Sequence, residues 1–165
     1  MQVDTLQFSE SMLDYFSIDK IIKDDSHKFF RKIKHGNFSE IPYFLRVIYD
    51  HDRDTALKLL DYVERNLDNE EVFADCLSQF AVSCFEQEDY LQAGRYGKQV
   101  IPLFKSLEKT TSLGYTYFLL TKSALASNAI ELAGKFAHQA LAYAQTAEEK
   151  ILQEEIESFI VENSL

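Results

Sequence analysis

An acidic run around residue 52 has the ligand types, and part of the spacing, of a calcium-binding loop. Asp50, Asp52, Asp54 and Asp61 stand where such a loop has its first, third, fifth and twelfth residues. The sixth position of the loop requires glycine for a sharp turn, but it is Thr55, and apolar residues continue at helical spacing beyond it. The sequence therefore favours a helix that begins near residue 53, with Asp52 or Asp54 as its N-cap, over a metal site.

The other side chains that could bind a metal or act as nucleophiles lack the required spacing. No two of the four histidines are three or four residues apart, the spacing that places two ligands on one side of a helix. Cys76 and Cys84 are separated by about 12 Å along a predicted helix, too far for a disulfide, and we expect both thiols to be buried. No phosphate-binding loop, dinucleotide-binding glycine pattern or nucleophile elbow occurs in the sequence. We therefore predict a non-enzymatic protein without a metal or cofactor.

The composition indicates a globular protein with an acidic surface. Of 165 residues, 17 are Lys or Arg and 27 are Asp or Glu, which gives a net charge of −10. The hydrophobic share of 46%, with only five glycines and two prolines, excludes collagen-like and intrinsically disordered chains. The negative charge disfavours nucleic acid as a general partner. The chain begins without a basic leader and has no apolar run of about 18 residues, so we expect a cytoplasmic protein with no membrane partner.

Apolar residues recur with the 3.6-residue period of a helix through almost the whole chain, and no strand alternation is sustained. The sequence therefore predicts an all-α fold in a single domain. Short linkers require neighbouring helices to form antiparallel hairpins. The predicted helices span about 9–16, 18–34, 40–50, 53–67, 70–86, 89–108, 111–126, 129–146 and 148–162.

A shift of forty residues superposes two consecutive helical hairpins without a gap. Nine positions keep their size class, and small residues recur where two helices must approach closely, as hairpins stacked in an array require. The matched pairs are Leu77 and Tyr117, Phe80 and Leu120, Ala81 and Thr121, Cys84 and Ala124, Tyr90 and Ile130, Ala93 and Ala133, Tyr96 and Phe136, Gly97 and Ala137, and Val100 and Ala140. The sequence thus predicts a repeat protein with a period of about forty residues.

The terminal segment carries a dense group of glutamates at positions 148, 149, 154, 155 and 157. Apolar residues form a stripe opposite them, at Ile151, Leu152, Ile156, Phe159 and Ile160. This pattern predicts an amphipathic helix with a solvated acidic side, of the kind that caps a helical array.

The run Gln87-Glu88-Asp89-Tyr90-Leu91-Gln92-Ala93, preceded by Ala81 and followed by Val100, resembles a tetratricopeptide repeat around its inter-helix turn. The second hairpin is similar to the family more loosely, with Ser127-Asn128-Ala129-Ile130 at its turn. The forty-residue step exceeds the roughly 34-residue period of the family, which implies longer helices. The resemblance implies a right-handed α-solenoid of helical hairpins over residues 1–165. Its parts would be divergent hairpins over about 1–67, two clear hairpins over 70–146 and a capping helix over 147–163.

The stretch Phe38 to Val63, in which Asp52-Arg53-Asp54 joins two helices, is similar to the peptide-sensing regulators of Gram-positive bacteria and their phages, in particular the arbitrium-receptor branch. Those receptors usually begin with a helix-turn-helix DNA-binding domain, whereas residues 1–35 are too short and irregular to contain one. The resemblance therefore implies a detached or diverged sensor domain that responds to a short peptide.

The tetratricopeptide resemblance also implies a binding surface on the first helix of each hairpin, which lines the concave side of a solenoid. The residues off the packing stripe that would face a bound peptide or protein are Asp75, Gln79, Ser83 and Glu86 from one hairpin, and Tyr115, Phe118 and Lys122 from the next. Polar groups suit an extended peptide backbone, and aromatic rings offer apolar contacts. The alternative for Phe118 is a place in the hydrophobic core.

Three functions remain open from the sequence. The first is a peptide-responsive regulatory module, in which a bound peptide changes the angle between hairpins. The second is a constitutive scaffold, inhibitor or self-associating adaptor that binds a protein partner, a homodimer being one form of it. The third is nucleic-acid contact through the basic segment 20–35, which has six Lys or Arg and two Asp. For that segment the alternatives are a solvated surface and head-to-tail association with the acidic terminal helix.

Overall fold

Every secondary-structure element in the described part of the chain is helical. The computed structural model describes residues 38–165. Within this range a short 3-10 helix, Phe38–Glu40, precedes seven α-helices: α1 Ile41–His51, α2 Arg53–Leu67, α3 Glu70–Glu86, α4 Tyr90–Ser106, α5 Thr110–Ala126, α6 Ile130–Thr146 and α7 Lys150–Asn163. The prediction of an all-α fold is confirmed for these residues. The predicted helices at 9–16 and 18–34, and the basic segment 20–35, lie outside the described residues.

The helix bounds follow the sequence signals closely. Helices α2 and α3 have the predicted bounds. Pro42 lies in the first turn of α1, where its missing N–H removes no hydrogen bond. The helix predicted over 89–108 ends at Ser106, because Glu108 adopts a left-handed conformation with φ of 54° that a right-handed helix cannot contain.

The chain divides into two compact units, Met1–Cys76 and Leu77–Leu165, and the division falls inside α3. In the described part of the first unit, α1 packs against α2. The buried apolar residues of these helices are Ile41, Phe44, Leu45, Ile48 and Tyr49 in α1, and Ala56, Leu59, Leu60 and Val63 in α2. The predicted apolar stripe of α2 is therefore its buried side.

Asp52 is the single residue between α1 and α2, and it caps α2. Its carboxylate accepts hydrogen bonds from the Thr55 hydroxyl at 2.6 Å and from the Thr55 backbone N–H at 3.1 Å. These two bonds stabilise the charged form and hold the pKa of Asp52 below its usual value. Helix α2 runs without interruption through residues 53–61, which are nine of the twelve residues that a calcium loop would use. The helix-cap interpretation of the acidic run is confirmed, with Asp52 as the cap.

From α3 onward, helices begin at intervals of twenty residues. The first residues of α3 to α7 are 70, 90, 110, 130 and 150, and each of α3 to α6 contains 17 residues. The forty-residue period seen in the sequence thus consists of two helices of equal length with short connections of one kind.

The same turn ends each of the helices α3 to α6. One residue in each turn has a φ between 54° and 61°, at Glu88, Glu108, Asn128 and Glu148. The next residue donates its backbone N–H to a carbonyl five residues earlier, from Asp89 to Cys84, Lys109 to Phe104, Ala129 to Ala124 and Glu149 to Ala144, at 2.8 to 3.0 Å. These bonds satisfy carbonyls that a helix end leaves without partners. Four equal turns therefore reverse the chain in the same way each time.

Adjacent helices of the second unit approach closely where the sequence has small residues. Helix α4 packs on α5, α5 on α6 and α6 on α7, and α5 also contacts α7. A Cβ atom added to Gly97 of α4 would lie 2.9 Å from Leu120 Cδ2 of α5. A Cβ atom added to Gly114 of α5 would lie 3.1 Å from Leu152 Cδ2 of α7. The two glycines permit these approaches, and the packing is compatible with a helical repeat.

The terminal helix α7 departs from its predicted pattern at one residue. Leu152 and Ile156 are buried, and Phe159 and Ile160 are half-buried, as an apolar stripe requires. Ile151 is 82% exposed, so its assignment to the packing stripe is wrong. Successive residues of a helix point about 100° apart, and with Leu152 facing the core Ile151 lies outside the contact.

Candidate functional site

The middle of α5 presents three of the predicted binding residues on one side of the helix. Tyr115, Phe118 and Lys122 are separated by three and four residues, a spacing that aligns side chains along a helix. Tyr115 is 53% exposed, Lys122 is half-buried and Phe118 is buried. The ring of Phe118 meets the ring of Phe159 in α7 edge to face, with centroids 5.4 Å apart. Phe118 therefore anchors α5 to α7 while it supports the residues beside it.

The ammonium group of Lys122 lies over two aromatic rings from different helices. Its nitrogen is 4.4 Å from the centroid of Phe118 and 5.6 Å from the centroid of Phe85 in α3. Both distances fall within the range of a cation–π interaction. Among residues 38–165, no carboxylate lies within 4.0 Å of this ammonium group. The ammonium group is thus held in place by rings and has no carboxylate partner in the described residues.

We call the patch formed by Phe85, Tyr115, Phe118, Lys122 and Phe159 the Lys122 surface. It combines a fixed cation with an exposed tyrosine, whose ring is apolar and whose hydroxyl is polar. Aromatic side chains of this kind supply much of the energy at protein and peptide interfaces. The arrangement can therefore bind a segment that brings an apolar side chain together with a carboxylate.

The predicted residues of α3 have different environments. Gln79 is half-buried and Glu86 is exposed, while Ser83 is fully buried and accepts a hydrogen bond from the Gln87 amide at 3.2 Å. Asp75 is half-buried and lies in the first unit. The structure thus brings together Tyr115, Phe118 and Lys122 with each other, and it turns Ser83 into the helix packing.

Two residues of the Lys122 surface, Phe85 and Phe159, were not among the predicted site residues. Phe85 follows the packing position Cys84 directly, and Phe159 belongs to the predicted stripe of the terminal helix. The signal in the sequence was that each is an aromatic residue on or next to the packing stripe of a predicted helix. Sequence spacing alone does not show which of these rings reaches Lys122.

A depression of about 660 Å³ lies between α5 and α6, apart from the Lys122 surface. Its lining residues are Tyr117, Glu131, Leu132, Gly134, Lys135, Phe136, His138 and Gln139. Tyr117 stacks on Tyr143 with centroids 5.5 Å apart and also contacts the ring of Phe136. The depression is shallow and open, and its aromatic floor is used to join α5 to α6.

The thiols and the possible metal ligands form no reactive group in the described residues. Cys76 and Cys84 are both buried, and neither forms a disulfide. Burial, together with the nearby Asp75 carboxylate, raises the pKa of the Cys76 thiol far above its usual value. Within residues 38–165, no cluster of three or more His, Cys, Asp or Glu side chains is arranged around a common point. None of the helices in that range combines the length and apolar composition needed to cross a bilayer.

Comparisons with protein-family models, with curated proteins and with solved structures found no match to this chain. The function is therefore inferred from the geometry of the Lys122 surface and from the residues that form it.

Proposed function

We propose that this chain is a non-enzymatic, intracellular binding module of the tetratricopeptide type. Helices of 17 residues that begin every twenty residues, with the same turn after each, support a stack of equivalent hairpins. The contacts of α5 with α4, α6 and α7 support it further, since a hairpin in a stack touches both neighbours. A right-handed solenoid of this kind lines one side with the first helices of its hairpins, here α3, α5 and α7.

The ligand of this module is a short peptide or an extended protein segment that binds at the Lys122 surface. The observation that carries this proposal is the Lys122 ammonium, held over Phe118 and Phe85 without a carboxylate within 4.0 Å in the described residues. A cation already fixed in position loses little conformational freedom when it binds an acidic group. Tyr115, which is 53% exposed, supplies the apolar contact next to it.

The same contact suggests how binding regulates the protein. Lys122 belongs to α5 and Phe85 to α3, so the cation–π contact links the first helices of two successive hairpins. A ligand that binds beside this contact and touches both helices favours a different angle between them. The module then acts as a peptide-responsive sensor within a regulatory system.

A selection from a phage-displayed library of random peptides tests the proposal. Peptides enriched on the wild-type protein are synthesised with a fluorophore, and their dissociation constants are measured by fluorescence anisotropy. We expect Lys122→Ala and Tyr115→Ala each to weaken binding about tenfold or more, as residues at the centre of an interface do. Lys135→Ala, which removes an exposed lysine of α6, is the matched control and leaves the affinity unchanged.

A constitutive scaffold or inhibitor is the second function, supported by large apolar side chains that are exposed on α4 and α7. The two functions differ in their response to the selected peptide. A sensor gains thermal stability in proportion to ligand concentration and changes its small-angle scattering profile. A scaffold does neither. Unchanged affinity in Lys122→Ala and Tyr115→Ala would exclude the Lys122 surface as the binding site, and unchanged affinity in Gln79→Ala would exclude Gln79 from the site.

A further inference from the structure

One side of α4 carries a row of exposed side chains in which every charge is positive. Leu91, Arg95, Lys98, Pro102 and Lys105 are exposed and follow one another at steps of four, three, four and three residues. This spacing keeps them on one side of the helix over about 21 Å of its axis. We call this row the α4 basic face.

The charge of the α4 basic face has no acidic neighbour at contact distance in the described residues. Helix α4 itself contains no Asp or Glu. Within residues 38–165, no carboxylate lies within 4.0 Å of the charged groups of Arg95, Lys98 or Lys105. The whole chain nevertheless has a net charge of −10. A concentrated positive surface on an acidic protein attracts an acidic partner.

Gly94 lies beside Lys98 on α4 and is not required by the packing of the described chain. A Cβ atom added at Gly94 would meet no atom within 4 Å. Glycine inside a helix is nevertheless less stable than alanine, because it loses more conformational freedom on folding. The missing side chain leaves the backbone of α4 open to close approach by a second element.

The exposed side of α7 has the complementary character. Glu154 and Glu155 lie one turn after Ile151, and Glu162 follows Val161 on the same side of the helix. Ile151 and Val161 are 82% and 79% exposed. We call these five residues, with Ser158 between them, the α7 acidic face. It offers both negative charge and apolar contact.

We infer that the α7 acidic face of one copy of this chain binds the α4 basic face of a second copy. Both faces contain residues at steps of four, three and four, so they match in either orientation. In the parallel orientation Ile151 lies against Leu91 and Glu155 against Arg95. In the antiparallel orientation Ile151 lies against Pro102 instead, and Glu155 against a lysine of α4.

Because the contact joins two different faces, a pair of bound copies keeps one basic face and one acidic face unoccupied. Association therefore proceeds head to tail and produces open chains or closed rings rather than a simple two-fold dimer. Neither face contains a residue of the Lys122 surface. The association therefore does not depend on a peptide bound at the Lys122 surface.

Sedimentation velocity of the full chain tests this association, at protein concentrations up to about 200 μM, since small interfaces give micromolar or weaker dissociation constants. We expect self-association at about 0.1 M NaCl that weakens about fivefold or more at about 1 M NaCl, where the Debye length falls from about 10 Å to about 3 Å. The variant Arg95→Glu/Lys98→Glu and the variant Glu154→Lys/Glu155→Lys are each expected to remain monomeric. An equimolar mixture of the two associates again, because each reversed face meets a face of opposite charge.

The control variant Lys58→Glu/Lys135→Glu makes the same change of charge at exposed positions outside both faces and leaves self-association unchanged. All substituted side chains are exposed, and unaltered circular dichroism verifies that each variant is folded. A wild-type protein that stays monomeric at about 0.1 M NaCl throughout this concentration range would overturn the inference. Equal self-association of all variants would also overturn the inference. Binding of duplex DNA to the α4 basic face, by a protein that remains monomeric, would overturn it as well.

Discussion

The glycines of the second unit form two pairs that differ in what a methyl group would meet. At Gly94 in α4 and Gly134 in α6, an added Cβ atom has nothing within 4 Å. At Gly97, also in α4, the added atom would lie 2.9 Å from Leu120 Cδ2. At Gly114 in α5 it would lie 3.1 Å from a leucine methyl and 3.4 Å from the backbone nitrogen of residue 144. Substitution by alanine is therefore expected to stabilise the protein at Gly94 and Gly134 and not at Gly97 and Gly114.

The magnitudes follow from helix propensity and packing. Replacing a helical glycine by alanine stabilises a helix by about 1 kcal/mol, and this gain is the same at Gly94 and Gly97 because both lie in the interior of α4. Overpacking a closely packed contact costs about 1 to 3 kcal/mol. Leu120 is buried and has little room to move away from a new methyl group. We expect Gly94→Ala to raise the free energy of unfolding by about 1 kcal/mol and Gly97→Ala to lower it or leave it unchanged.

Thermal and urea unfolding, followed by circular dichroism, measure both variants against the wild type. A gain of about 1 kcal/mol corresponds to an increase in Tm of about 2 to 4 °C for a chain of this size. Gly134→Ala should behave as Gly94→Ala does, and Gly114→Ala as Gly97→Ala does. If Gly97→Ala stabilised the protein as much as Gly94→Ala, the close approach of α4 to α5 would be refuted.

Five other substitutions test three local features of the fold. Glu108→Gly should raise the free energy of unfolding by about 1 kcal/mol, because glycine adopts the left-handed conformation of this turn without strain. Asn128→Gly should raise the free energy of unfolding less, because asparagine tolerates that conformation. Asp52→Ala should lower the free energy of unfolding by about 1 kcal/mol at neutral pH, because it removes the cap of α2. Because the folded pKa of Asp52 lies below its usual 3.8, this contribution is present above pH 3.8 and is lost as the pH falls through the folded pKa. Ser123→Ala should stabilise the protein by about 1 kcal/mol more than Ser83→Ala, because the buried hydroxyl of Ser123 has no hydrogen-bond partner in the described residues, whereas that of Ser83 accepts one.

Chemical unfolding of each variant, with Asp52→Ala repeated across acid pH, measures these differences. The turn geometry would be contradicted if Glu108→Gly destabilised the protein. The cap would be contradicted if the effect of Asp52→Ala did not diminish as the pH falls through the folded pKa of the carboxylate. Equal effects of Ser123→Ala and Ser83→Ala on the free energy of unfolding would contradict the predicted difference in hydrogen bonding between the two hydroxyls.

Helical periodicity predicted the elements of this fold because it acts within one helix at a time. The stripe that includes Leu59 and Val63 was sufficient to define α2 and its buried side. The forty-residue shift likewise anticipated the equal spacing of α3 to α7. It did not anticipate that Glu108 adopts the left-handed conformation after α4, because glycine is the residue type that adopts this conformation without strain.

Contacts between helices were harder to predict, because a residue beside a packing stripe can be covered by a neighbour or left exposed. Ser83 is polar and was expected in a groove, yet it is buried and bonded to Gln87. Ile151 is apolar and was expected in the core, yet it is exposed. The contact of Lys122 with Phe85 joins residues 37 positions apart on different helices, and only the packed structure brings them together.

The central claim is that a peptide or extended protein segment binds at the Lys122 surface. Nuclear magnetic resonance of the isotopically labelled full chain, titrated with a peptide selected from the random library, tests this claim residue by residue. We expect the largest chemical-shift changes at Tyr115, Lys122 and Phe85, with little change in α1 and α2. Largest changes confined to α6 or to the first unit, with none at Lys122, would contradict the claim.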